Sequence, residues 1–138
     1  MSRRSLAVLV ALVASVTVPA SAAAHERGRA VGEDRLVITV SGTEGSDGTF
    51  ELTCAPVGGD HPEPAESCAA LRGVERPFTP VAEGTRCTFL YGGAATARVE
   101  GRWQGEVVDA EFTRTNGCEI SRWDRLVPAL PSLATHAA

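Results

Sequence analysis

The sequence contains no lysine, so every one of its basic side chains is an arginine. Past the first two dozen residues no apolar run is long enough to anchor a chain in a bilayer, and the reading is of a released product. No C-x-x-C pair occurs. The four cysteines, Cys54, Cys68, Cys87 and Cys118, are too widely spaced for a zinc site even with His25, His61 and His136 to draw on. No Gly-x-Ser-x-Gly and no glycine-rich phosphate loop is present. The three histidines fall in an N-terminal arm, a proline-rich loop and the last residues, poor places to hold a general base. These absences disfavour a metalloprotein, a nucleotide-binding protein and a small secreted enzyme. They also give no reason to expect a cofactor.

Three features stand at the N-terminus. Arg3 and Arg4 are positive, Leu6 to Val18 is apolar but too short to span a membrane, and Pro19 precedes the small residues Ala20-Ser21-Ala22-Ala23-Ala24. This is the pattern of a secretory signal over residues 1–24, with cleavage after Ala24 or, second, after Ala22. Removing it leaves 11 arginines against 17 acidic residues, a net charge of −6. An acidic domain of that size has no electrostatic footing on nucleic acid. An even number of cysteines in a small secreted chain reads as two disulfides, with three possible connectivities. Sequential pairing is the simplest of the three.

Residues 25–34 are polar and glycine-containing, a loose arm, and 35–138 form one domain. Leu36-Val37-Ile38-Thr39-Val40 and Thr49 to Cys54 read as two strands of a hairpin across a Gly-, Ser- and Asp-rich turn. Pro56 to Pro64 reads as irregular loop. Ala65 to Arg72 reads as a short helix, with Pro64 and Glu66 at its start and Gly73 as its stop. One further helical turn is expected over Pro77 to Ala82. The clearest signal is a hairpin from Ala95 to Phe112. Ala97, Val99, Trp103, Val108, Ala110 and Phe112 fall on one face, and Arg98, Glu100, Arg102, Asp109 and Glu111 on the other, about a Gln104-Gly105 turn. Trp103 is read as core. Pro128 and Pro131 bracket what reads as a thin C-terminal tail.

The segment Thr85-Arg86-Cys87-Thr88-Phe89-Leu90-Tyr91-Gly92-Gly93 does not fit a buried strand. A strand would leave Leu90 exposed, and two glycines would weaken it. The fragments Leu52-Thr53-Cys54-Ala55-Pro56, His61-Pro62 and Ser67-Cys68-Ala69 occur in order with Cys87-Thr88-Phe89-Leu90-Tyr91. Gly101-Arg102-Trp103-Gln104-Gly105 and Asn116-Gly117-Cys118-Glu119 follow. Together, over about residues 36–120, they resemble the Streptomyces subtilisin inhibitor family of secreted serine-protease inhibitors.

The resemblance implies an α+β fold, a five-stranded antiparallel sheet with two short helices on one face. It implies disulfides Cys54–Cys68 and Cys87–Cys118, and typically a homodimer packed through the sheet. It places the reactive bond at Phe89–Leu90. Arg86, Cys87 and Thr88 would lie on the acyl side of a protease cleft and Tyr91 on the leaving-group side. Asn116 would support the loop from behind. Phe89 suits the wide apolar pockets of subtilisin-like and chymotrypsin-like enzymes, and no metal or cofactor is implied. The family often has proline at the position of Thr88 and Asp-Pro at Gly92-Gly93, so this loop is expected to be less preorganised. That expectation motivates an alternative, a secreted binding module on the same scaffold that inhibits weakly or not at all.

Overall fold

A computed structural model describes residues 34–134. The signal segment, the arm before Asp34, His25 and His136 lie outside the described residues. Seven elements follow in order: β1 (Arg35–Ser41), β2 (Gly48–Cys54), β3 (Val57–Gly59), α1 (Pro64–Arg72), β4 (Thr96–Trp103), β5 (Glu106–Phe112) and α2 (Gly117–Asp124). The strands form one antiparallel sheet in the order β3-β2-β1-β4-β5.

Period-two alternation decides which face is inside. Leu36, Ile38 and Val40 of β1, Leu52 of β2, Ala97, Val99 and Trp103 of β4, and Val108, Ala110 and Phe112 of β5 are all buried. In the register, Ile38 lies opposite Val99 and Val99 opposite Ala110, so the apolar row runs across the sheet. The opposite face carries Arg98, which ion-pairs with Glu100, Asp109 and Glu111. The Gln104-Gly105 turn has positive φ at both residues, +50° and +85°, the form that matches the twist of a two-residue hairpin.

Both helices pack beside the sheet, α1 against β2 and β3 and α2 against β5. Ser67, Cys68 and Leu71 of α1 turn inward. The helix ends at Gly73, whose φ of −73° is ordinary, so this glycine stops the helix without a left-handed cap. Helix α2 buries Ile120, Arg122 and Trp123. The disulfides are Cys54–Cys68 and Cys87–Cys118, with Cα separations of 5.6 and 5.3 Å.

Three expectations are corrected. A three-residue strand, β3, sits inside the stretch read as irregular loop, and it is too short to show any periodicity. Pro77 to Ala82 is not helical; a single turn there is closed by the Thr79 amide on the Arg76 carbonyl. The C-terminal segment is not a thin tail. Leu126, Ala129 and Leu130 are in the core, and Trp123 Nε1 donates to the Pro131 carbonyl at 2.9 Å. The prolines that suggested a tail instead bend a packed segment over the helical face. Each large side chain buried there contributes about 1.5–3 kcal/mol.

His61 ties this segment to the rest. Its ring is buried, with Nε2 on the Ala129 carbonyl at 3.2 Å. Nδ1 accepts from the Glu63 amide at 3.1 Å and lies 3.2 Å from the Ser67 hydroxyl. That arrangement requires the proton on Nε2.

Candidate functional site

The connection from Gly73 to Ala95 contains no helix or strand, yet it is fixed at intervals. Arginine does the first part of this. Arg122 of α2 is buried; its Nε donates to the Thr79 carbonyl at 2.9 Å and its Nη1 to the Glu111 carbonyl at 2.7 Å. The same guanidinium lies 3.9 Å from the centre of the Phe112 ring. A planar fork with five donors can serve all these acceptors at once, which an ammonium cannot. Phe78, next to the tethered Thr79, packs edge-on against Trp103 at 6.2 Å.

The second interval is Cys87 to Gly92. Cys87 is bonded to Cys118, the second residue of α2. The Gly117 amide donates to the Thr88 carbonyl at 3.0 Å. A Cβ on Gly117 would stand 1.9 Å from Thr88 Oγ1, so any larger residue there would require the Thr88 side chain to turn away. On the far side the Gly92 amide donates to the Arg114 carbonyl at 2.7 Å, and Arg114 Nε donates back to the Gly92 carbonyl at 3.2 Å.

Between these attachments Phe89, Leu90 and Tyr91 project outward, 105, 60 and 64% exposed. Among the described residues no hydrogen bond reaches them. Three consecutive large apolar side chains in water cost free energy that a monomeric domain has no reason to carry. The loop is bonded on both sides of these residues and leaves one side chain, Phe89, fully free.

The loop residues named from sequence are thus brought together. Arg86, Thr88, Phe89, Leu90 and Tyr91 are exposed, and Cys87 is half-buried at their base. Asn116 lies at the start of α2, next to Gly117. Its side-chain oxygen accepts from the Glu119 amide at 3.0 Å as the N-cap of the helix. Arg114 and Gly117 were not foreseen as loop contacts. A usable signal was Asn116 followed three residues later by Glu119, the spacing that opens a helix. Among the described residues no three His, Cys, Asp or Glu side chains converge where a metal could bind.

A model of the subtilisin inhibitor-like family matches residues 33–116. Subtilisin inhibitor-like protein 1 of Streptomyces cacaoi is 36% identical over 98 residues, which cover 62% of this chain and 86% of that one. Trypsin inhibitor STI2 of Streptomyces longisporus is 41% identical over 70 residues, 49% of this chain and 48% of that one. Among solved structures, Streptomyces caespitosus sermetstatin in complex with Bacillus licheniformis subtilisin is 26% identical. That alignment covers 71% of this chain and 99% of that one, with a TM-score of 0.45.

Proposed function

The chain belongs to the subtilisin inhibitor-like family, and from that premise we propose that it is a secreted inhibitor of subtilisin-like serine endopeptidases. It acts as a pseudo-substrate whose reactive bond is Phe89–Leu90. The observation that carries this reading is the full exposure of Phe89 on a loop bonded to the domain at Cys87, Thr88 and Gly92. Phe89 enters the primary pocket. Arg86, Cys87 and Thr88 line the acyl side of the cleft, and Leu90 and Tyr91 the leaving-group side. A large apolar side chain fits the wide pockets of subtilisin-like and chymotrypsin-like enzymes and not the acid-floored pocket of trypsin-like ones.

A preformed loop avoids much of the ordering cost of a flexible peptide, about 0.5–1.5 kcal/mol for each immobilised side chain. It also explains slow turnover. If the bond is cut, the new amine stays beside the acyl ester at an effective molarity on the order of 10⁵ M or more. Water then loses the competition.

Two copies associate, on this reading, through the solvent face of the sheet. Val37 there is 37% exposed and Val107 of the edge strand 75%. Sedimentation at several concentrations tests the dimer. Inhibition itself is tested by titrating subtilisin with the purified protein and sequencing new N-termini after long incubation. Stoichiometric inhibition with a new terminus at Leu90 is expected. Rapid digestion at many sites without inhibition overturns the proposal.

A further inference from the structure

We propose that Arg114 is a positioning residue for the reactive bond, holding the leaving-group strand at Gly92 so that a cut Phe89–Leu90 bond is resealed. The inference rests on the pseudo-substrate reading of the loop.

Helix α2 braces the loop at both ends. It has eight residues and is about 12 Å long at 1.5 Å per residue. Its first residue, Gly117, bonds Thr88 on the acyl side. Its last residue, Asp124, accepts from Arg114 Nη1 at 2.6 Å, and Arg114 Nε in turn holds the Gly92 carbonyl. Midway, Ile120 lies against Gly92: a Cβ on that glycine would stand 2.9 Å from Ile120 Cγ1 and 3.0 Å from Arg114 Cβ and Nε. A single short helix thus fixes the chain one residue before Phe89 and two residues after Leu90.

The arginine is built into the fold. Its side chain is completely buried, its guanidinium carbon lies 5.7 Å from the centre of the Trp123 ring, and Nη2 has no hydrogen-bond partner among the described residues. A charge so placed is held by its ion pair and its hydrogen bonds, since desolvation opposes it. Bridging Asp124 and the Gly92 carbonyl from two different nitrogens uses the fork geometry of a guanidinium.

The chemistry gives the bridge a consequence. The protease serine oxygen attacks the Phe89 carbonyl carbon and the bond to the Leu90 nitrogen breaks. The serine proton passes through the enzyme's base to that nitrogen, leaving an ester at Phe89 and an amine at Leu90. Resealing reverses every step: the amine attacks the ester carbon, loses its proton, and the serine oxygen departs with it. Water attacking the same carbon gives a Phe89 carboxylate and free enzyme. The partition depends on how close the amine stays. With Gly92 held, two residues, Leu90 and Tyr91, link the amine to the fold. Without the guanidinium Gly92 keeps only its amide bond to the Arg114 main-chain carbonyl, and where that bond opens as well the next secure point is buried Ala95 and residues 90–94 swing together. Gly93, at φ +101° with open space around its Cα, offers no stiffness in between. With effective concentration falling as the −3/2 power of tether length, the change from two residues to five costs about fourfold.

The test uses Arg114→Met, which keeps the bulk and removes the donors, and Asp124→Asn, which weakens the bridge from its half-exposed end. Each is mixed with subtilisin. The readouts are melting temperature, inhibition in the first minutes, recovery of protease activity over hours, and the equilibrium ratio of intact to nicked Phe89–Leu90. The expected result is faster recovery and an intact-to-nicked ratio lower by up to about fourfold. Wild-type recovery and ratio in folded Arg114→Met overturn the inference; if that variant does not fold, Asp124→Asn decides in the same way. Failure of wild type to inhibit sinks the inhibitor reading instead. The intact-to-nicked ratio still judges Arg114 in that case, because any enzyme that cuts this bond equilibrates it.

Discussion

Replacing Phe89 with aspartate separates a binding side chain from a structural one. Phe89 is fully exposed and its backbone makes no hydrogen bond among the described residues, so the folded domain loses no contact there. A surface change of this kind shifts stability by no more than about 0.5 kcal/mol. Binding is another matter. Burying a phenylalanine in an apolar pocket is worth about 3 kcal/mol at most by transfer. Forcing a carboxylate into the same pocket adds a desolvation cost of at least about 2 kcal/mol. The sum, about 5 kcal/mol, weakens Kd by roughly three to four decades. The assay is a subtilisin titration at fixed enzyme concentration alongside thermal unfolding of the free protein. Phe89→Asp should leave the melting temperature unchanged and lose tight inhibition. A variant that unfolds shows that Phe89 was structural. One that inhibits as well as wild type shows that another bond enters the pocket. Phe89→Arg extends the test, because it should turn the same loop toward trypsin-like enzymes while leaving stability unchanged.

Removing the Cys87–Cys118 tether as the double serine variant should cost up to about 4 kcal/mol for a loop of 31 residues. Urea denaturation reads that loss, and a rise in cleavage of Phe89–Leu90 reads the loosened loop. His61→Ala strips partners from Ser67, the Glu63 amide and the Ala129 carbonyl, and should cost about 2–4 kcal/mol, read as a lower urea midpoint. Asp47 accepts from the Thr43 hydroxyl, the Thr43 amide and the Gly42 amide, and these bonds hold its carboxyl below the ordinary 3.8. Because the folded value is the lower one, the stability is present above about pH 4 and is lost as pH falls through the folded value. Asp47→Asn should therefore flatten the acid limb of a stability–pH curve; parallel curves for the two proteins would refute that assignment.

What the sequence made legible was set by which side chains obey the simple rule of charge outside and apolar inside. β4 and β5 alternate about the Gln104-Gly105 turn, so their inward faces could be read, and the β-branched run of β1 and the alternation of β2 placed those strands within a residue or two. α1 was marked by Pro64, Glu66 and Gly73, which act locally. α2 was not read from its own residues, because Arg114 and Arg122 stand in the segment that leads into and forms it. A reader who sends every arginine to solvent loses the helical spacing of Ile120, Trp123, Leu126 and Leu130. Both arginines are buried in fact, and their guanidinium groups serve carbonyls and carboxylates that no periodicity reveals. The C-terminal segment was misread for a related reason. Pro128 and Pro131 suggested a tail, whereas the core position of Leu126, Ala129 and Leu130 depends on a face of α2 that was itself unseen.

The expected weakness of the loop was argued from restraints of one kind. Threonine in place of proline at position 88, and glycines at 92 and 93, remove restraints that act within the chain, by fixing φ or limiting the unfolded ensemble. The fold supplies restraints of another kind, acting across the chain. The Thr88 carbonyl is held by Gly117, and Gly92 is seated where no side chain would fit, against Ile120 and the buried Arg114. Gly92 is therefore the residue that admits the clamp, and any larger residue there would push the loop off it. Gly93 has open space around it and takes no part in the contact. The two glycines thus have opposite standing. Gly92→Ala should loosen the loop by steric expulsion and speed cleavage at Phe89–Leu90. An alanine at Gly93 meets no clash and strains only a positive φ, costing about 1 kcal/mol. Timed cleavage of both variants by subtilisin distinguishes them. Equal acceleration in the two would mean that backbone freedom, and not the Arg114 contact, sets the loop's resistance.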